Sequence, residues 1–333
     1  MIIAEIAQAH DGSLGAAHAF IDALAETGVD AVKFQTHIAE AESSALEPFR
    51  VKFSRQDKTR FDYWKRMEFT LDQWQGIQAH CHEVGLKFIS SPFSNAAVEL
   101  LDQVGVDAIK IGSGEISNLL MLEKIAKTGK PIILSSGMSD LDELERTLEF
   151  LKAFSNPISL LQCTTAYPTA PEQWGLNVIG ILREKFRIPI GFSDHSGNIY
   201  ASLAAAALGA EIFEFHVVFD KRQFGPDTIA SITIDQTRIL AQGIKEIRKA
   251  LSSPIEKSEV SKYEELKRIF GKSLAVNKDL KSGTALRFED LESKKPGDQG
   301  IPAAAFRSVL GKSLTQDLNK WDFLKPEHIQ TVE

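Results

Sequence analysis

A (β/α)8 barrel followed by a small C-terminal domain is the fold that this sequence predicts, and three observations predict it. Short apolar runs of β type alternate with longer segments of helical apolar spacing, eight of each; such alternation signals parallel strands joined by crossover helices. The runs are hydrophobic almost throughout, the pattern of strands buried on both faces. Chemistry-capable residues follow nearly every run, whereas an open doubly wound sheet, the competing arrangement, concentrates them at one switch point. Eight strand-helix units in about 250 residues match a barrel.

The first run, Ile2 to Ile6, carries Glu5 toward its neighbours. A helix is predicted from Leu14 to Thr27, with Ser13 as its N-cap and Gly28 as its stop. The second run, Ala31 to Gln35, puts Lys33 and Gln35 on one face because successive side chains alternate. Ser43 to Thr70 then breaks the rhythm. This insertion is rich in charge and in aromatics (Phe49, Phe53, Phe61, Tyr63, Trp64) and lies on the rim where barrel active sites form, either as a lid or as aromatic packing on the barrel top.

The third run, Lys87 to Ser91, ends in a serine; the fourth, Ala108 to Ile111, leads into Lys110-Ile-Gly-Ser-Gly-Glu115; the fifth, Ile132 to Ser135, leads into Ser135-Ser-Gly-Met. Loops of such small residues let backbone amides approach an anion, with Lys110, Ser113 and Ser135 as further donors. Adding Lys33 places two ammonium groups in one cavity, which suits a substrate bearing phosphate, carboxylate or both. The alternative is a structural lysine paired with Glu5 or Glu115. Gly112-Ser-Gly114 starts like a dinucleotide fingerprint but lacks its third glycine. The sixth run, Ile158 to Gln162, precedes Cys163, which nothing in the sequence marks as reactive, so packing is its expected role.

The seventh and eighth runs, Ile190 to Phe192 and Ile212 to Val217, each end in a histidine, His195 and His216. Parallel neighbours lie about 4.8 Å apart, so the two imidazoles can grip one divalent cation from the same rim. Alternation also groups Ser193 with His195 and Glu214 with His216 in the cavity, since charges facing the helix layer would be buried unpaired. Each histidine taken alone has a structural reading. Asp227, in Gly225-Pro-Asp, could orient a substrate or a ligand water. Two protein ligands leave positions open, the pattern of a Lewis acid acting on a substrate oxygen, and mixed nitrogen and oxygen ligation suits manganese, with magnesium or cobalt as alternatives. His10, His37, His80 and His82 lie in loops or on a helix without a partner at ligand spacing and receive no role.

The last barrel helix is expected from Asp235 to Leu251, closing a catalytic domain at residues 1–251. Residues 252–269 read as a polar linker with one short helix, and residues 270–333 as a second domain too small to do much chemistry alone. With 43% hydrophobic and 25% charged residues and a net charge of -7, the chain is neither disordered nor suited to nucleic acid. Two cysteines are too few for a disulfide framework, and the alanine-rich segment Ala201 to Ala210 is shorter than the roughly 20 residues of a membrane span. Met1-Ile-Ile-Ala-Glu has no basic stretch ahead of an apolar one, so cytoplasm is the expected compartment.

The order of the signatures Ile3-Ala-Glu-Ile, His10-Asp-Gly, Val32-Lys-Phe-Gln, Ser91-Pro-Phe, Lys110-Ile-Gly-Ser-Gly-Glu, Leu134-Ser-Ser-Gly-Met, Gln162-Cys-Thr-Thr-Ala-Tyr-Pro-Thr, Gly191-Phe-Ser-Asp-His-Ser, Glu214-Phe-His and Gly225-Pro-Asp resembles the sialic acid synthase family. Gly271-Lys-Ser-Leu, Lys295-Pro-Gly and Leu310-Gly-Lys are similar to that family's C-terminal antifreeze-like (SAF, β-clip) domain. The resemblance implies condensation of phosphoenolpyruvate with an N-acylated hexosamine, giving a nine-carbon 2-keto-3-deoxy sugar acid and phosphate with carbon-oxygen cleavage. It implies that Lys33, Ser91, Lys110, Ser113, Ser135 and Ser193 hold phosphoenolpyruvate, that His195 and His216 hold the metal, and that Gln35, Glu115, Tyr167 and Asp227 face the sugar. Glu115 is the candidate for proton handling, beside Glu5. It also implies a domain-swapped homodimer, each C-terminal domain covering its partner's barrel mouth.

Departures from the family pattern gather on the sugar side. Lys295, which the resemblance places toward the substrate, replaces an arginine that usually meets the sugar's acyl group in the family and so loses a planar multi-donor fork. Thr165 stands where asparagine or serine is common, Ala9-His-Asp replaces Asn-His-Asn, Thr228 replaces a histidine, and the insertion lacks a frequent lysine-alanine-tyrosine-glutamine pattern. The acceptor therefore stays open between N-acetylmannosamine, a 2,4-diacetamido-trideoxyhexose and other sugars. Another phosphoenolpyruvate-dependent synthase, or a barrel that only binds sugars, are the competing functions.

Overall fold

The computed structural model describes residues 1–330. Eight strands, β1 (Ile2–Ala7), β2 (Ala31–Thr36), β3 (Lys87–Pro92), β4 (Ala108–Ile111), β5 (Ile132–Ser135), β6 (Ile158–Cys163), β7 (Ile190–Asp194) and β8 (Phe213–Val218), pair in sequence order, all parallel. Pairing of β1 with β8, Glu5 opposite His216, closes the ring. The barrel predicted from the alternating runs is present, each strand within two residues of its expected bounds at either end.

Helices α1 (Leu14–Ala25), α2 (Ala39–Glu42), α3 (Arg60–Met67), α4 (Leu71–Glu83), α5 (Asn95–Val104), α6 (Leu119–Lys127), α7 (Leu141–Leu151), α8 (Leu176–Phe186), α9 (Tyr200–Ala207) and α10 (Ile234–Leu251) lie between and after the strands. Ser13 caps α1 by accepting from the Ala16 amide, and Gly28 follows with φ of 85°, where a side chain would be strained. Thr233 and Gln236 form a capping box at the start of α10. Among the described residues, no helix is long and apolar enough to cross a membrane.

Alternation splits each strand between two cores. Ala4, Val32, Phe34, Phe88, Ile109, Leu134, Phe192, Phe213 and Phe215 face the helix layer and join its large core. Inside the ring, Ile3, Ala31, Ile89, Ala108, Ile133, Leu161 and Ile212 form an apolar plug. Gly191 completes this layer because a Cβ there would come within 2.4 Å of Leu161 and 2.3 Å of the Ile212 carbonyl oxygen. Two residues further along every strand the interior turns polar, with Glu5, Lys33, Ser91, Lys110, Ser135, Cys163, Ser193 and Glu214. Another step of two reaches Gln35, Thr165, His195 and His216. The barrel is thus sealed below by apolar side chains and lined by polar ones above.

The first unit spans Met1–Ser253 and the second begins at Pro254. In the second, α11 (Glu264–Phe270) precedes a two-stranded antiparallel sheet, β10 (Ser273–Val276) with β11 (Leu291–Lys294), while the short β9 (Ile232–Thr233) belongs to the barrel and pairs with β8. Leu274, Val276, Leu286, Leu314 and Leu324 anchor a separate small core.

Candidate active site

The polar layer and the rim enclose a cavity of about 260 Å³, sized for small metabolites. Its floor holds four ionisable groups that water barely reaches: Glu5, Lys33, Lys110 and Glu214 are 1%, 3%, 2% and 4% exposed. Lys33 pairs with Glu5 and lies 3.9 Å from Glu214, and Lys110 lies 3.6 Å from the other oxygen of Glu214. The lysines therefore have carboxylate partners, as the structural reading expects, and also line the cavity. Burial pushes the Lys110 ammonium below its ordinary value, with Glu214 pulling it back up. Burial would raise Glu214, but Lys110 and Lys33 outweigh it and hold the carboxyl low. Glu5 moves up, driven by burial against the pull of Lys33.

Serines surround these charges. Lys33 Nζ donates to Ser91 Oγ at 3.2 Å, Lys110 Nζ to Ser135 Oγ at 2.6 Å, and Ser193 Oγ to Glu214 at 3.1 Å. Ser113 Oγ accepts from the Gly137 amide at 3.1 Å. A Cβ on Gly137 would sit 2.6 Å from that hydroxyl and 2.5 Å from Thr165, which is why the loop needs glycine there.

The ring centroids of His195 and His216 are 5.3 Å apart, and Tyr167 packs against His195 at 4.2 Å. His195 Nδ1 lies 3.1 Å from the Thr164 carbonyl oxygen, which can only accept, so Nδ1 carries a proton and Nε2 is the nitrogen left to ligate. Burial holds His216 down to about 3, keeping its imidazole neutral. His195 is different: burial lowers it, yet Cys163 and the Thr164 carbonyl push it up to about 9, so a cation binding there must displace a proton. Two neutral-capable imidazoles over an oxygen-lined cavity fit a divalent cation completed by substrate or water. No cluster of three or more histidine, cysteine or acidic side chains suited to a metal occurs among the described residues.

Glu5, Lys33, Gln35, Ser91, Lys110, Ser113, Ser135, Thr165, Tyr167, Ser193, His195, His216 and Asp227 all line this one cavity. Glu115 does not. The turn Ser113–Glu115 carries it onto the rim, where its carboxylate accepts from Asn118 Nδ2 at 2.7 Å. Lys295 belongs to the second unit, where its ammonium lies 5.1 Å from the Phe270 ring centroid.

Several residues in and around the cavity have partners that the sequence does not reveal. Glu214 joins both lysines, although alternation alone only placed it beside His216. Cys163 is buried and also lines the cavity. Burial raises its thiol, but His195, 3.7 Å away, and Lys110 bring it below the ordinary value. His37 also gains partners: stacked between Trp64 and Phe93, it lies 2.7 Å from Glu42 and 3.0 Å from Gln8. Gln8 bonds Gln35, and Gln35 donates to Glu5 at 3.0 Å, so a chain of hydrogen bonds runs from α2 to the cavity floor. His80 pairs with His18 and Asp22, and His82 with Asp107, as surface links.

The insertion lies over the cavity. Tyr63, Trp64 and Met67 form its own core with Phe49, Phe53 and Phe61, and Arg50, Phe53, Arg60, Tyr63 and Trp64 line the cavity. Arg66 staples it down, gripping Asp57 through two nitrogens at 3.0 and 2.8 Å and Asp11 at 2.6 Å. Arg50 reaches Asp227 at 2.7 Å.

The NeuB family profile matches residues 20–256. The N,N'-diacetyllegionaminic acid synthase of Campylobacter jejuni is 35% identical over 331 residues, 98% of each chain. The human N-acetylneuraminate-9-phosphate synthase is 35% identical over 333 residues, 98% of this chain and 91% of that protein. Among solved structures, an N-acetylneuraminic acid (sialic acid) synthetase from Leptospira borgpetersenii in complex with citrate superposes with a TM-score of 0.70 at 30% identity, covering 80% of this chain and 90% of its own.

Proposed function

The chain belongs to the NeuB family, and on that premise we propose that it is a nonulosonic acid synthase, condensing phosphoenolpyruvate with an N-acylated amino sugar to a nine-carbon 2-keto-3-deoxy acid and phosphate. The acceptor is N-acetylmannosamine or a 2,4-diacetamido-trideoxyhexose. The observation that carries this reading is the buried tetrad of Glu5, Lys33, Lys110 and Glu214 beneath two histidines. Neither a sugar-binding barrel nor a plain aldolase needs two desolvated ammonium groups ringed by four serine hydroxyls.

Lys33, Lys110, Ser91, Ser113, Ser135 and Ser193 hold the phosphate and carboxylate of phosphoenolpyruvate, the lysines turning from carboxylates to ligand. The enol methylene carbon then attacks the open-chain aldehyde carbon, forming the carbon-carbon bond, and the aldehyde oxygen takes up a proton. Water adds to the oxocarbenium carbon, and its carbon-oxygen bond to phosphate breaks. Glu5, raised by burial and tied to Gln35, is the carboxyl suited to carry a proton, whereas Glu115 is engaged with Asn118. His195 and His216 would hold a divalent cation, manganese by its ligand chemistry, which when bound supplies polarisation of the acceptor oxygen. Gln35, Thr165, Tyr167 and Asp227 face the sugar.

We assign the second unit as an antifreeze-like domain that brings Lys295 to the partner's barrel in a domain-swapped homodimer, working in the cytoplasm. The deciding experiment is phosphate release from phosphoenolpyruvate with manganese across an acceptor panel, products identified by mass. Acceptor-dependent release with a nine-carbon product is expected. No release with any acceptor overturns the reading.

A further inference from the structure

Arg50 crosses from the insertion to the far wall of the cavity. Its Nη2 donates to Asp227 Oδ1 at 2.7 Å, and its guanidinium carbon lies 4.2 Å over the Tyr167 ring, which packs at 4.2 Å against His195. One tyrosine therefore separates this guanidinium from the imidazole pair. Asp227 is the one hydrogen-bond partner recorded for Arg50 among the described residues, so most of its five donors are unspent, and its side chain is 41% exposed. Stacking on the ring fixes the plane of the fork, and the ion pair fixes its rotation. Phe53, three residues on, packs at 5.5 Å against Phe224 and ties the same segment to the loop that carries Asp227.

We propose that Arg50 is a specificity-determining residue of the acceptor subsite, and that its free N–H donors bind the carbonyl oxygen of the acceptor's N-acyl group. The proposal rests on the synthase reading above. The choice of a neutral carbonyl follows from charge: Asp227 already balances the guanidinium, and Arg60, the other arginine lining the cavity, is balanced by Glu47 at 2.8 Å. A second anion would have to break one of these pairs, whereas a carbonyl needs only a planar donor at the right place. The other carboxylates lining the cavity, Glu5 and Glu214, are paired with Lys33 and Lys110 on its floor.

The test compares wild type with Arg50→Ala and Arg50→Lys, each checked for an unchanged thermal melt, using phosphoenolpyruvate, manganese and paired hexosamines with and without the acyl group. Arg50→Ala should raise the KM of the acylated acceptor about tenfold to a hundredfold, the effect of losing a charge-assisted hydrogen bond. The KM of phosphoenolpyruvate should stay within about twofold and the non-acylated sugar should be little affected. Arg50→Lys should fall between, keeping the charge but not the fork. Equal losses for both sugars, or an equal rise in the KM of phosphoenolpyruvate, overturn the assignment, as does wild-type preference for a phosphorylated acceptor that Arg50→Ala abolishes. If wild type turns over no acceptor, the synthase reading falls on its own, and calorimetry decides Arg50: tighter binding of the acylated sugar to wild type than to Arg50→Ala supports it, and equal or absent binding overturns it.

Discussion

Glu214 stands between two ammonium groups from strands more than a hundred residues earlier in the chain, and its removal leaves both lysines buried with one carboxylate between them. Breaking a buried pair by deleting one partner costs about 3–5 kcal/mol, so Glu214→Ala should lose that much stability in urea unfolding, and Glu214→Gln less because the hydrogen bond from Ser193 can persist. A change below 1 kcal/mol would mean that the lysines find other partners. The sequence showed Glu214 on the cavity face because alternation is local. It could not show Lys33 and Lys110 as its neighbours, since no pattern within one strand reports which strand lies alongside. The neighbours of Cys163 were hidden for the same reason: His195 and Lys110, which lower its thiol, come from elsewhere in the barrel. The position of Glu115 could not be read from alternation, because a turn after β4 ends the pattern that put Lys110 inside.

At the scale of elements, strand bounds were legible because apolar runs, caps and glycine stops are encoded side by side; the insertion was legible only as a break in that rhythm. Its anchorage depends on distant charges. Arg66 holds the Asp57 carboxyl below its usual value, against burial, with help from Ser54. A carboxyl depressed on folding contributes stability that is present above its unfolded pKa of about 3.9 and lost as pH falls through the folded value. Hydrogen exchange across residues 43–70 should therefore stay slow near neutrality and quicken below about pH 4, before the barrel strands loosen. Arg66→Ala should show the fast exchange already at neutral pH. Unchanged protection in the variant would mean that the aromatic core alone pins the segment.

For the molecule as a whole, the barrel was written eight times over in the sequence, while the second unit was visible only through short motifs, because its core rests on scattered leucines with little periodicity. The proposed swap makes a prediction across chains. Lys295→Ala should weaken acceptor binding and His195→Ala should abolish turnover; in a swapped dimer, mixing and re-equilibrating the two yields hybrids with one fully intact site. Recovery of wild-type acceptor KM in the mixture is expected, and an unswapped arrangement gives none. The hydrogen-bond chain from Glu42 through His37, Gln8 and Gln35 to Glu5 carries a different consequence. It begins outside the Ser43 to Thr70 insertion and links the ends of β1 and β2, so the insertion and the cavity floor are joined through His37: a chimera that exchanges only those 28 residues with a relative leaves the barrel strands unchanged, yet leaves His37 without the Trp64 face it stacks on. An exchange that keeps these contacts must therefore carry the ends of the first two strands along with the loop above them.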